Sequence, residues 1–243
     1  MRSLKGYFWR CLSVLLIPAA LFGAEAQNAF NEGVKHYQAA KFKEAVAAFN
    51  RAIKAAPKSA EAYNNRGLAY AKLGQLENAL KDYDEALKLN PELTDAQFNR
   101  GNVLFKQKNY ERSVKDFDEV IKQDAKAPRV FVQRGLAFLQ LKQFDKAVQD
   151  FNQAQKLDPK NDENYNNRAN AYSLLGKYDE AVKDYDEAIK LNGKDARIYA
   201  NRGVIKQRLK KDDEAQKDFQ KAVELDPGLK DKLASFITPA KGK

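Results

Sequence analysis

The feature that most constrains this chain is a period of 34 residues. The stretch "YNNRGLAY" begins at Tyr63 and returns as "YNNRANAY" at Tyr165. Thinner copies read "QFNRGNVL" from Gln97, "FVQRGLAF" from Phe131 and "YANRGVIK" from Tyr199. Six units fit without insertion, at 26–59, 60–93, 94–127, 128–161, 162–195 and 196–229. With positions counted 1 to 34 in each, position 8 is Gly33, Gly67, Gly101, Gly135, Ala169 and Gly203. Position 20 is Ala45, Ala79, Ser113, Ala147, Ala181 and Ala215. Position 24 is always aromatic: Phe49, Tyr83, Phe117, Phe151, Tyr185 and Phe219. Position 27 is Ala or Val, and position 32 is Pro57, Pro91, Ala125, Pro159, Gly193 and Pro227.

Positions 4, 8 and 11 share one helical face, as do 20, 24 and 27 on a second helix. Small residues at 8 and 20 let two backbones approach while the aromatic at 24 fills the space beside them. Proline or glycine at 32 ends the second helix. A lone hairpin cannot bury its apolar face, so the units must stack as a solenoid.

These positions resemble the tetratricopeptide signature, and the resemblance covers essentially all of residues 27–229. It implies an all-α fold: a right-handed superhelical solenoid of six helix-turn-helix repeats. Repeat 3 departs most, with Gln97, Ser113, Val120 and Ala125. Repeat 6 places Lys206 at position 11 and Asp212 at position 17. The tail 230–243, "KDKLASFITPAKGK", is expected to give a short C-terminal capping helix that covers the last apolar face with Leu233, Phe236 and Ile237.

Position 7 is Arg66, Arg100, Arg134, Arg168 and Arg202 in repeats 2 to 6. Position 23 is Asp82, Asp116, Asp150, Asp184 and Asp218 in the same repeats. Repeat 1 lacks both, with Glu32 and Ala48. A charge near the packed face needs a partner, and the joint presence and joint absence predict arginine–aspartate pairs, within a repeat or between neighbours. Five independently solvated charges are the alternative.

Position 6 is an amide in every unit: Asn31, Asn65, Asn99, Gln133, Asn167 and Asn201. It lies about 200° from position 4 and faces away from the packed stripe. Asparagine is a poor helix-interior residue, and an amide offers both donors and an acceptor. In the family that the chain resembles, this face lines a concave groove, and some long members use an asparagine ladder to hold a peptide main chain. The resemblance therefore implies peptide binding by these amides, with Asn102 and Asn170 at position 9. Phe30, Tyr37, Phe98 and Phe105, at positions 5 and 12, would form side-chain pockets, unless they pack against the adjacent helix. Asparagine at position 6 is also common in the family where no peptide is known. The carboxylate clamp of co-chaperone members requires a lysine at position 5, where this chain has Phe30, Asn64, Phe98, Val132, Asn166 and Ala200.

Catalytic chemistry finds few components. His36 is the single histidine, and Cys11 the single cysteine. A nucleophile–histidine pair or a histidine zinc cluster cannot be assembled from these. No glycine-rich phosphate loop is present, so no cofactor, metal or enzymatic activity is expected.

The first 26 residues differ from the rest. "MRSLKGYFWR" is basic, "CLSVLLIPAALFG" carries no charge, and "AEA" precedes Gln27. That is the pattern of a secretory signal, and the apolar run is shorter than the roughly 20 residues of a membrane span. Cleavage after Ala26 is expected, giving a periplasmic or secreted protein; an uncleaved anchor is the alternative. Removing Arg2, Lys5, Arg10 and Glu25 from 43 basic and 33 acidic residues leaves a net charge of +8. Position 2 alternates in sign through Glu61, Asp95, Arg129, Glu163 and Arg197, which is no phosphate-tracking stripe. The sequence thus predicts a non-catalytic scaffold for a protein or peptide partner. Its rival is an assembly subunit or spacer that uses its convex face or ends, toward an acidic partner or anionic envelope surface.

Overall fold

The computed structural model describes residues 23–237. Most of the expected export signal, residues 1–22, lies outside them. Helices α1 (Ala24–Gln38) and α2 (Phe42–Ala55), α3 (Ala60–Lys72) and α4 (Leu76–Leu89), and α5 (Thr94–Lys106) and α6 (Tyr110–Gln123) form three hairpins. Three more pair α7 (Pro128–Gln140) with α8 (Phe144–Leu157), α9 (Asp162–Leu174) with α10 (Tyr178–Leu191), and α11 (Ala196–Arg208) with α12 (Asp212–Leu225). The fold is an all-α repeat solenoid, with no strand among the described residues. It divides into two compact units of three hairpins, with the division of the chain falling between Gln123 and Asp124.

Local chemistry sets the helix ends. Position 34 is the N-cap of the following first helix: Ser59 Oγ accepts from the Ala62 amide at 3.0 Å, and the side chains of Asn161 and Asp195 accept from the Glu163 and Arg197 amides. Pro128 opens α7, where its missing N–H costs nothing. Every first helix ends alike: the position-16 amide donates to the position-11 carbonyl, as in Gln75 to Tyr70 and Gln143 to Phe138. This turn places position 15 in the left-handed region. Glycine serves there only as Gly74 and Gly176; Ala40, Lys108, Lys142 and Lys210 adopt φ of 57° to 63°.

Within each hairpin the aromatic at position 24 lies against the small residue at position 8. A Cβ added to Gly67 would stand 2.7 Å from the Tyr83 ring, and one on Gly33 2.6 Å from Phe49. The ring occupies the space that the missing side chain leaves, which explains the pairing of the two positions in sequence. Phe49, Tyr83, Phe117, Phe151, Tyr185 and Phe219 are all buried.

The two ends of the array are finished differently. Positions 3 and 10 are buried as Ala62 and Ala69, Ala96 and Val103, Val130 and Ala137, and Ile198 and Ile205. The first hairpin instead has Asn28 and Lys35 there, both exposed. At the other end a 3₁₀ turn (Pro227–Leu229) leads into α13 (Lys230–Leu233). Leu233 is buried against Phe219 and Ala222, with Phe236 and Ile237 packed beside them. Gln216 Nε2 donates to the Phe236 carbonyl at 2.7 Å and pins the tail.

Candidate functional site

In both units the first helices lie side by side, α1 with α3 and α3 with α5, and α7 with α9 and α9 with α11. One stripe of these helices carries positions 2, 6, 9 and 13, which fall within about 60° of one another on a helix; in the first unit its middle is buried at Val34, Asn65, Leu68 and Asn99. Behind that wall sits the arginine row. Arg66 donates from Nε and Nη2 to Asp82 at 2.8 and 2.6 Å, and Arg100, Arg134, Arg168 and Arg202 do the same to Asp116, Asp150, Asp184 and Asp218. Such forked pairs are the strong, geometrically fixed kind. The Asp82 side chain is 6% exposed and that of Arg66 19%.

Sequence reasoning missed the second half of this arrangement. The Nη1 atoms of Arg66, Arg100, Arg168 and Arg202 donate back to position 25 of the preceding repeat: Asn50, Asp84, Asn152 and Asp186. The signal was present, since position 25 is Asn, Asp or Gln in every unit. Aromatic faces complete the cradle, with Arg66 over Tyr63 and Tyr70, and Arg134 over Phe131 and Phe138. In repeat 1, Glu32 takes a different partner, Arg51 Nη2 at 2.6 Å, in the open. Hydrogen bonding from Arg51 holds the Glu32 carboxyl below its usual range.

Lys206 was also not foreseen as an electrostatic element. It replaces the aromatic of position 11, is buried, and lies 3.2 Å from Asp218 and 3.3 Å from Glu214. Asp218 thereby receives both Arg202 and Lys206.

The amides of position 6 do not share one environment. Asn31 is exposed, Asn65 is 1% exposed, Asn99 is buried, and Gln133, Asn167 and Asn201 are half-buried. Asn99 Nδ2 donates to Asn64 Oδ1 of the neighbouring helix at 3.0 Å. Neither amide atom of Asn65 has a hydrogen-bond partner, and the Asn64 Nδ2 has none. In the second unit the position-9 amide is engaged: Asn170 Oδ1 accepts from Tyr185 Oη at 2.6 Å and from Asn201 Nδ2 at 3.4 Å. Asn102 is half-buried.

The expectation of aromatic pockets needs correction. Phe30, Tyr37 and Phe98 are buried. Phe30 meets Phe49 edge-on at 5.7 Å, Tyr37 meets Phe42 at 5.4 Å, and Phe98 packs on Phe117 at 5.7 Å. Phe105, half-buried, meets Tyr110 at 5.3 Å. Positions 5 and 12 turn toward the hairpin's own second helix, where these rings extend the core. Burial raises the Tyr37 phenol above its ordinary pKa.

Three repeat profiles, each described as tetratricopeptide or TPR repeat, match this chain: one at residues 60–93, 128–161, 163–195 and 196–229, a second at 33–74 and a third at 94–127. The chain belongs to the tetratricopeptide repeat family. Its fold is similar to MamA from Desulfovibrio magneticus RS-1, with 22% identity, TM-score 0.67, and coverage of 70% of this chain and 96% of that one. It is also similar to pilF of Pseudomonas aeruginosa, at 23% identity and TM-score 0.71 over 84% and 93% of the two chains. YrrB, described as a TPR protein with an unusual peptide-binding site, aligns at 23% identity and TM-score 0.65 over 74% and 92%. No curated protein matches the chain. Membership in the family implies protein or peptide partners. Among the described residues no helix is long and apolar enough to cross a membrane, and no three metal-ligating side chains cluster.

Proposed function

We propose that this tetratricopeptide protein is a non-catalytic scaffold that captures an extended polypeptide segment on its first-helix wall, outside the cytoplasm. One observation carries the reading. Position 6 holds an amide in all six repeats, and Asn31, Gln133, Asn167 and Asn201 keep part of that register open to a partner. A peptide unit supplies the matching acceptor and donor together. The peptide-binding site named for YrrB lies on the same kind of fold. The basic and apolar N-terminal run supports an extracytoplasmic location.

The rival reading is an assembly subunit or spacer that docks through its convex face or its ends, and the ends have less to hold. One end is polar at Asn28 and Lys35, and the other is covered by Leu233 and Phe236. The test is selection of binders from a random peptide library on the full chain. Affinities are then compared for the parent and a variant with Asn65, Asn99, Asn167 and Asn201 all changed to alanine. A tenfold or greater loss with unchanged helicity supports main-chain capture. Equal affinities overturn it.

A further inference from the structure

Three of the amides that position 6 leaves open, Gln133, Asn167 and Asn201, belong to the second unit. Beside them stand two side chains that the fold does not use. Leu174, at position 13 on α9, is 55% exposed, more than any other large hydrophobic residue among those described. The repeat does not require it, since position 13 is Gln38, Lys72, Lys106, Gln140 and Arg208 elsewhere. Leu136 and Val204, half-buried at position 9 on the flanking α7 and α11, lie about 6 Å lower along the helix axes. An apolar belt thus crosses three helices, and covering it removes apolar surface from water, which is favourable in itself.

Arg208 is the second side chain. It holds position 13 on α11, which packs beside α9. Its guanidinium lies over the Tyr178 ring at 5.8 Å and donates from Nη1 to Tyr178 Oη at 3.1 Å. Tyr178 opens α10 four residues after Leu174, so this contact draws the arginine toward the end of α9 that bears the leucine. The partner is neutral. Arg134, Arg168 and Arg202 in the same unit each hold an aspartate, and Arg197 holds Asp195. Arg208 is exposed, and no carboxylate among the described residues stands within ion-pair distance of it. A guanidinium carries five donors in a planar fork that matches a carboxylate, and the tyrosine takes one.

Leu174 and Arg208 occupy one row on neighbouring helices. Packed helices stand about 8–10 Å apart, and an extended strand sets same-side side chains, two residues apart, about 7 Å from one another. A long acidic side chain bridges that difference. A strand running between the position-6 amides and the position-13 row lies about 5 Å along the axis from each. Its main chain then meets the amides, while one parity of its side chains meets the row.

We infer that the second unit selects an extended segment with an acidic side chain two residues from a large apolar one. Arg208 takes the carboxylate, and Leu174, with Leu136 and Val204, takes the apolar group. This rests on main-chain capture by the open amides and adds what the captured segment must contain.

The experiment uses the full chain and four labelled peptides on one neutral background. The first has a leucine with a glutamate two residues away on each side, which serves either strand direction. The second has the glutamates adjacent to the leucine, and the third has lysines in place of the glutamates. The fourth has no glutamate and a free C-terminal carboxylate two residues after the leucine; the others are amidated. Fluorescence anisotropy is read at low and moderate salt. The first peptide is expected to bind about tenfold tighter than the third, because the swap removes an attraction and adds a repulsion. It is also expected to bind tighter than the second. Arg208→Glu should turn the preference toward the lysine peptide, and Leu174→Ser should weaken all four, with helicity unchanged in both. Equal binding of the first and third peptides overturns the inference, as does a preference that survives Arg208→Glu. Tightest binding of the fourth overturns it in favour of recognition of a chain end. A double variant, Gln133→Ala with Asn167→Ala, separates the two levels: it weakens all peptides alike if main-chain capture holds. If it changes none while the glutamate preference stands, capture fails and the side chains alone select the segment. If no peptide binds the parent, both readings fall.

Discussion

Arg66 holds Asp82 through Nε and Nη2 while its Nη1 reaches Asn50 of the preceding repeat, so one guanidinium joins a hairpin internally and to its neighbour. Changing Asp82 to alanine leaves a largely enclosed arginine uncompensated, which costs about 3–5 kcal/mol for a buried pair. The Arg51–Glu32 pair, at 56% and 48% exposure, is screened by solvent and adds little to stability. Hydrogen exchange resolved along the chain should show protection of α3 and α4 collapsing in Asp82→Ala, with α1 and α2 little changed in Arg51→Ala.

The ring of Tyr83 fills the space a Gly67 side chain would need. Gly67→Ala is expected to destabilise the first unit by about 1–3 kcal/mol through overpacking. The cost should fall in the lower half of that range, because the fifth repeat already seats Ala169 against Tyr185. Lys142→Gly acts in the opposite direction. Its φ of 58° is costly for a residue with a Cβ, and relief of that strain should stabilise the second unit by roughly 0.5–1 kcal/mol after glycine's entropy is charged against it. Both effects are read by urea unfolding followed by circular dichroism.

Lys206 occupies a position that is aromatic in Tyr70, Phe138 and Tyr172. Replacing a buried charge by a well-packed apolar group is often neutral or stabilising, and Arg202 still satisfies Asp218. Lys206→Tyr is therefore expected to match or exceed the parent's melting temperature, whereas Lys206→Ala lowers it. A drop in both variants would show that the lysine's own charge is required.

Burial raises the Asp195 carboxyl, but hydrogen bonds from the Arg197 side chain and backbone outweigh it, and the net pKa lies below the ordinary 3.8. A depressed carboxyl contributes stability that is present above its unfolded value and is lost as pH falls through its folded one. The melting temperature of Asp195→Asn should lie below the parent's at neutral pH. The gap should close from roughly pH 4 downward. A gap that stays constant to pH 2 would contradict this.

The N-terminal run predicts removal of residues 1–26 on export, which intact mass of the exported product will read. Cleavage after Ala26 would shorten α1 by its first three residues, Ala24 to Ala26, and take away the buried Ala26 side chain. A product starting at Gln27 is expected. A product retaining Met1 would favour the anchored alternative.

The hairpins were legible because each rests on two coincident positions: a glycine at 8 makes sense only with a ring at 24, and the chain states both together. The arginine–aspartate pairs were legible for the same reason, through their joint loss in repeat 1. Positions 5 and 12 were not. They sit about 100–120° from position 6 on the helix, at the border between the open wall and the hairpin's own partner. Periodicity alone cannot say which side a ring at that border takes. Phe30 and Phe98 went inward because Phe49 and Phe117 offered edge contacts there. The burial of Asn65 was equally hidden, because it depends on neighbouring helices rather than on its own.

The arginine cradle also acts as a ruler. From Arg100 the bonded acceptors stand 16 residues back, at Asp84, and 16 residues ahead, at Asp116, and Arg66, Arg168 and Arg202 keep the same two intervals. The backward interval spans the junction between repeats, and the forward one spans the turn inside a hairpin. A residue inserted into either connection would carry one acceptor out of a guanidinium's reach. Loops ordinarily tolerate changes of length better than helices do. In this chain they are where a change of length would be felt first.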